Sequence, residues 1–584
     1  MGGENGKTTA VAPLIRKEGT PRKPKGGFRT IPFIILNEGF QSLASTGLHA
    51  NMVIYLTNEF QMGAVTSSSI ISLWSAASSF MAVFGAVLSD SFLGRFTVIL
   101  IGSSFSLLGT IGLWSTAVVP ELRPPPCESI NCETTAATPT QLAILYASLG
   151  LISLGSGCLL PCSMAFGADQ LDKKDNPNNE RVLQGFFNWY YAIGGVATLL
   201  GLTVVVYIQD TYGWPVGLSV PAFLVLFSTL LFLLPSSIYV KHKARGSLFV
   251  GCLRVLVAAI CKASSNSVKD NGEQEGVNSS VGLLEDLDDS RHDYFHGLDH
   301  NGFITPTPHL RCLNKACLIV NSETDINPDD GSAKNPWTLC TVEEVEAMKS
   351  IVKVLPIWST GFLFYLSLAQ SPFMILQAET MNRHIFSNSF EFPPGSLGSF
   401  NLISFTLSII IYDSILIPIL SKFTGNPRGL STNVRLGAGM VLAILAMAIL
   451  AMAISGAVES MRRWNATAEQ DAVEISVFWL MPSLVLLGTA QALNYIEQIS
   501  FYYTHLPKAM SSIAVAMLTL MTAIGSLLAS ALIDVVDGFS SSGGKESWLS
   551  TNLNEGHLDY YYFLIAGICF LNFLYFLLCS RTFN

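Results

Sequence analysis

The sequence predicts an all-α membrane protein of twelve transmembrane helices, six before a long hydrophilic insert and six after it. Three observations carry this reading. The chain has 584 residues, of which 50% are hydrophobic and only 13% charged. That is more apolar surface than soluble cores hide, so the bilayer is the solvent it requires. Apolar windows recur at 31–57, 67–89, 96–118, 141–165, 184–208 and 216–239, then at 349–373, 396–420, 435–457, 475–502, 510–535 and 559–580. Each is near the roughly 20 residues that a helix needs to cross about 30 Å of hydrocarbon. Third, the basic residues fall mostly on one side of that count.

Lys and Arg lie in the N-terminal tail, at Arg95, at Lys173-Lys174, between Lys241 and Arg254, at Lys422 and Arg428, at Lys508 and at Arg581. By the positive-inside rule this side is cytosolic and holds both termini. Arg123, Arg383, Arg462, Arg463 and Lys545 fall on the other side. The opposite face receives Cys127 and Cys132, which could pair in an oxidising compartment, and the sequon Asn465-Ala466-Thr467, a glycosylation candidate. The first 29 residues are largely polar and basic, unlike a cleaved signal peptide.

Within the insert, Ser247 to Ala263 mixes basic and apolar residues and predicts an amphipathic helix along the cytosolic interface. Ser264 to about Asp330 is acidic and rich in Ser, Asn and Gly, and is expected to be a flexible linker with regulatory potential. The net charge of −9 owes much to this segment, so it gives no footprint for nucleic acid. The eleven cysteines show no paired CxxC, and no metal or cofactor is expected. No nucleophile and base recur within the spans, which argues against an enzyme.

One stretch stands out inside the first span, Asn37-Glu38-Gly39-Phe40-Gln41-Ser42. An acid at membrane depth costs about 2.5 to 3.5 kcal/mol on insertion scales unless it faces a cavity or a partner, so Glu38 marks a functional site or a helix-helix pair. Close helix approach is expected at Gly150, Gly155 and Gly157 and at Gly194-Gly195.

Several runs resemble the plant nitrate/peptide transporter family, the plant branch of the proton-dependent oligopeptide transporters within the major facilitator superfamily. These are the run from Gly85 to Arg95, Phe166-Gly167-Ala168-Asp169-Gln170, Phe186-Phe187-Asn188-Trp189-Tyr190-Tyr191, and Trp337 to Val342. Pro356-Ile357-Trp358, Phe501-Tyr502-Tyr503 and Met510-Ser511-Ser512 complete the set. The resemblance implies a major facilitator fold, with two six-helix bundles and a midplane site exposed alternately to either side. It divides the chain into a cytosolic tail (1–29), a first bundle (30–239), a cytosolic linker (240–348), a second bundle (349–580) and a short cytosolic tail (581–584). Asp90 and Arg95 then read as a gate, or as a plain folding determinant.

The chain departs from the resembled family where proton coupling is carried. Proton-coupled members have Glu-x-x-Glu-(Lys/Arg) in the first helix, a cation in the fourth and an acid before the aromatic run of the tenth. Here Glu38 survives, but the other positions are Gln41, Ser42, Leu160 and Ser500, and Gln491 replaces a nearby acid. Removing acids and cations together avoids an unpaired buried charge. Glu497, where the family usually has glycine, either restores an acid to that face or lines the cavity as a polar residue.

The expected substrate-binding set is therefore Glu38, Gln41, Asn51, Asn188, Tyr191, Gln370, Asn401, Gln491, Asn494, Glu497, Gln498 and Tyr502, with Gln377 beside it. His49 reads as a hydrogen-bonded structural residue. A lining of amides, hydroxyls and aromatics suits a neutral or cationic organic molecule such as a glycoside or alkaloid, with Glu38 or Glu497 as counter-ion. Anions such as nitrate or a peptide carboxylate would want Arg or Lys. Three readings stand: a carrier or exporter of a specialised metabolite with weakened proton coupling, a nitrate or peptide symporter with a rewired proton path, and a non-transporting sensor. The expected partners are a small-molecule substrate, membrane lipid and protons, with a monomeric chain in the plasma membrane or the tonoplast.

Overall fold

The long helices follow from uninterrupted apolar sequence, and Pro and Gly mark most of their ends. A computed structural model describes residues 26–125, 137–171, 179–242, 248–269, 295–296, 298–299, 302–303, 305–319, 325–327, 332–384, 390–425, 429–465, 473–507, 511–542, 546–550 and 556–583. Among these, eleven helical segments are long and apolar enough to cross a membrane. The first span, Ile31–Asn58, is a twelfth long helix of 28 residues, more polar because it carries Asn37, Glu38, Gln41, His49 and Asn51.

The first bundle continues with Ala64–Leu88, Arg95–Val118, Pro139–Leu171, a fifth span that starts at Asn179 and runs through a π-helical turn to Tyr212, and Trp214–Leu233. The second bundle begins at Val342–Leu368, extended by Ser371–Glu379. An eighth span starts at Gly398 and passes through a π-helical turn at Tyr412–Leu416. Thr432–Asn465, Met481–His505, Ser511–Ser540 and Leu558–Phe583 complete it. The seventh helix starts seven residues before its apolar window because Thr341 and Glu344 form a reciprocal capping box. Hydropathy cannot see a helix that projects beyond the hydrocarbon.

The packing repeats. Spans 3 and 4, 2 and 4, 1 and 6, 1 and 5, and 3 and 6 lie together, and so do spans 9 and 10, 8 and 10, 7 and 12, 7 and 11, and 9 and 12. Adding six to each member of the first set gives the second, as expected of two six-helix repeats. Small residues set the tightest contacts. A Cβ on Gly157 would lie 2.3 Å from the Cβ of Met81, and one on Gly85 would lie 2.4 Å from the carbonyl oxygen of Gly157. A Cβ on Gly155 would lie 2.6 Å from the Ser106 backbone nitrogen, but Gly150, Gly194 and Gly195 meet nothing within 4 Å. The expected close approach is therefore corrected at those three positions.

The face that holds the start of span 1 and the end of span 12, expected to be cytosolic, is called the inner face here. Among the described residues, the hydrogen bonds and ion pairs that join the bundles gather near the outer face. Asn58 donates to Glu379 at 3.1 Å, Ser69 and Ser530 share a hydrogen bond of 2.6 Å, and Arg383 pairs with Asp210 at 3.9 Å. Spans 2 and 11 pack along each other below this seam.

In the linker, Leu248–Lys269 forms the expected amphipathic helix. Val255, Ala258 and Ala259 bury one face, while Leu253, Leu256 and Ile260 stay exposed. The buried face meets Leu313, Ala316, Cys317, Cys340, Val342 and Val345. The expectation of a coreless tether reaching Asp330 is thus corrected over 305–318, which packs on the start of span 7. The centre of the acidic insert and the Cys127/Cys132 loop lie outside the described residues. Span 9 ends at Asn465, so the rest of that sequon lies outside them too.

Candidate transport site

Glu38 lies two turns into the first span, on the face that looks into the first bundle. It lines a cavity of about 360 Å³ with Gln41, Ser42, His49, Trp74 and Leu160. Ser45, Thr46, Ser75, Ser78, Ser79, Ser106, Thr110, Ser156 and Thr198 make the rest of the wall rich in hydroxyls. Ser42 donates to the Glu38 carboxylate at 3.4 Å, and the hydroxyls of Tyr190 and Ser163 lie beside it. Asn37 faces the other way and accepts from Ser228 of span 6 at 2.7 Å.

Four of the positions singled out by their departure from the family pattern or by charge, Glu38, Gln41, Ser42 and Leu160, therefore meet at one wall. Leu160 is 57% exposed there, where a cation would otherwise stand. His49 hydrogen-bonds Ser75 at 2.7 Å and stacks on Trp74 with ring centroids 5.0 Å apart. It is held as expected, yet it also borders the cavity.

The second bundle has a smaller cavity of about 260 Å³, lined by Gln370, Asn401 and Gln491 together with Ser367, Ser371 and Ser483. Gln370 is fixed by Tyr561, which donates to its side-chain oxygen at 2.8 Å, and by Tyr562, which donates to its carbonyl at 3.2 Å. Gln377 is buried and donates to Thr380 near the outer end of span 7.

The remaining expected residues divide. Asn188 and Tyr191 of span 5 are exposed, and Tyr191, 65% exposed, lies within electrostatic range of Tyr495 and Tyr503 of span 10. Asn51 is buried near the outer face, directly beneath Gly395. Its placement as a cavity residue is corrected, since a Cβ on Gly395 would lie 2.1 Å from its side-chain oxygen.

Span 10 holds the main correction. Asn494, Gln498 and Tyr502 are fully buried within the second bundle. Asn494 lies against Gly439 of span 9, and Tyr502 donates to Gln498 at 2.6 Å next to Met521 of span 11. Residues four apart share a helix face, so the run 494, 498, 502 turns inward to the bundle, Gln491 opens on the cavity within it, and Tyr495 and Tyr503 lie toward Tyr191 of the first bundle. Tyr495 and Tyr503 were missed; the i, i+4 step from Gln491 points to the first of them. Ser500 is half-buried.

Glu497 does not line the cavity either. It is 3% exposed and forms an ion pair with Arg435 of span 9, itself 7% exposed. The Arg435 guanidinium also sits over the Tyr412 ring, 4.0 Å from its centroid. A buried carboxylate needs such a partner, and the sequence signal for it was Arg435 at the start of an apolar window.

The inner end of the first bundle carries a matching arrangement. Arg95 reaches Asp90 at 3.6 Å and both oxygens of Asp169 at 2.8 Å. Asp169, the acid of the run Phe166 to Gln170, is thus the principal partner that the two-residue gate lacked. In each bundle the first turns of the third helix place an Arg against an acid of the fourth, and the second helix carries a π-helical turn, at Ser89–Leu93 and at Tyr412–Leu416. Here that pattern joins spans 2, 3 and 4 and spans 8, 9 and 10.

Two six-helix repeats joined near one face, each with a polar-lined cavity, have the architecture of a membrane transporter. The chain belongs to the POT family, whose profile, PTR2, matches residues 96–549. It is 45% identical to Protein NRT1/ PTR FAMILY 1.2 of Arabidopsis thaliana, over 96% of this chain and 90% of that one. It is 43% identical to Protein NRT1/ PTR FAMILY 1.1 of the same plant, over 99% and 94%. In fold it is similar to the crystal structure of an auto inhibited POT family peptide transporter, with a TM-score of 0.65 at 16% identity, covering 95% of this chain and 97% of that one.

Proposed function

We propose that the chain moves an organic metabolite, such as a glycoside or alkaloid, across the plasma membrane or tonoplast of a plant cell, with weak or absent proton coupling and in either direction. One observation carries the reading: the described wall of the Glu38 cavity holds a carboxylate, an imidazole, one amide and many hydroxyls, but no Lys or Arg. A hydroxyl-rich wall can exchange hydrogen bonds with a sugar, and Glu38 can face a protonated amine. Nitrate or a peptide carboxylate would enter this wall without a counter-charge.

A second reading is a nitrate or peptide symporter. The family speaks for it, and the cavity wall carries two titratable groups, Glu38 and, about three helical turns further along the same span, His49. Flux of labelled glycosides, alkaloids, dipeptides and nitrate into oocytes at two external pH values separates the two. Flux of the organic solutes in both directions, independent of pH, supports the first. Accumulation of nitrate or dipeptide only under an inward proton gradient replaces it with the second.

A further inference from the structure

The linker returns to the membrane domain through the sequence Thr305-Pro306-Thr307-Pro308, and one residue of it pins the linker to span 7. The Thr307 backbone N–H donates to Glu346 at 2.8 Å, and its hydroxyl donates to the other Glu346 oxygen at 2.9 Å. Lys349 closes the ring, donating to the Thr307 carbonyl at 2.8 Å, to its hydroxyl oxygen at 3.1 Å and to Glu346 at 2.7 Å. Asn314 donates to the same carbonyl at 3.1 Å. The Lys349 side chain is only 6% exposed and that of Glu346 33%, so this is a half-buried ion pair with a threonine clasped at its exposed edge.

We propose that Thr307 is a phosphorylation site for a proline-directed kinase, and that its modification undocks the linker from span 7. Thr307 is exposed on the face expected to be cytosolic, and Pro308 follows it directly. Its hydroxyl is engaged when docked, so the kinase acts on the segment when it opens locally. The Thr307 oxygen attacks the γ-phosphorus of ATP, a new O–P bond forms and the bond to the bridging oxygen of ADP breaks. ADP leaves, and the hydroxyl proton passes to the kinase base and on to solvent.

The product cannot return to its place. A phosphate carries about −1.5 to −2 charges at neutral pH and brings only acceptors to a position where the hydroxyl was a donor. It would meet the Glu346 carboxylate with a single ammonium, Lys349, between them. The segment that follows holds Leu313, Ala316 and Cys317 in the cluster with the amphipathic helix and Val345, so loss of the pin loosens the packing at the start of span 7. Lys262 holds the far end by donating to the Leu318 carbonyl at 2.7 Å, which makes Thr307 the nearer, releasable end.

The test uses the full-length protein in nanodiscs with a recombinant proline-directed kinase, with and without ATP. Peptide mass spectrometry is expected to find phosphate on Thr307, retained in Thr305→Ala and lost in Thr307→Ala. Trypsin cleavage after Arg311 is expected to run roughly fivefold faster or more in the phosphorylated wild type than in its untreated form. No phosphate at Thr307, or phosphate there with an unchanged cleavage rate, overturns the proposal. Because both arms use the wild-type chain, misfolding of a variant does not enter the comparison.

Discussion

Glu497 and Arg435 pair within the second bundle, out of reach of the cavity, one helical turn from the neutral position Ser500. Truncating one partner leaves the other charged and buried, which costs about 3–5 kcal/mol, whereas replacing both with apolar residues is close to neutral. Glu497→Gln is expected to lower the thermal unfolding temperature in detergent sharply. The double variant Glu497→Leu with Arg435→Met is expected to recover most of the loss, and equal loss in both would show that the pair is not the source.

Glu38 makes a different prediction, because it borders the cavity. A charge-assisted hydrogen bond to a substrate contributes about 1.5–3 kcal/mol, so Glu38→Gln should reduce uptake of a cationic or hydroxylated solute by roughly tenfold or more. Uptake that is unchanged, with an unchanged pH response, would mark the residue as a structural remnant.

Leu160 and Ser500 stand at positions where the resembled family carries a cation and an acid. Leu160→Lys combined with Ser500→Glu is expected to make uptake higher at the more acidic of two external pH values. The comparison is with the wild type in the same oocyte assay.

At the inner end of the first bundle, Arg95 is closer to Asp169 than to Asp90, 2.8 Å against 3.6 Å. Asp169→Asn should therefore slow transport more than Asp90→Asn, measured as initial rate at matched surface expression.

The glycines give a packing test. Gly157→Ala pushes a methyl group into Met81 and should cost about 1–3 kcal/mol of stability by overpacking. Gly150→Ala has open space and should stabilise the helix by about 0.5–1 kcal/mol. Melting curves of the two purified variants compare them directly.

Much of the fold was legible because bilayer thickness and the positive-inside rule act on composition, which the sequence carries openly. The Glu38 wall was also legible, since an acid in an apolar run has few places to go and its altered neighbours share the same helical faces. Span 10 was not. Asn494, Gln498 and Tyr502 are as polar as Gln491 and Tyr495, and polarity alone does not say which face of a helix in a bundle meets a cavity and which meets its neighbours. Arg435 was passed over for a similar reason, because a cation at the start of a span reads as an interfacial charge.

By itself the sequence determined that the chain crosses the membrane in two sets of six, and that Gln41, Ser42, Leu160 and Ser500 are neutral where the resembled family carries charges. Those are properties of composition and of position along the chain. Only the tertiary structure decided that Glu497 belongs to Arg435 rather than to the substrate, that Asp169 completes the Arg95 cluster, and that the linker is pinned to span 7 at Thr307. Each depends on which of several polar groups lies within about 3 Å of another, a distance set by helix rotation and packing and not by either residue alone.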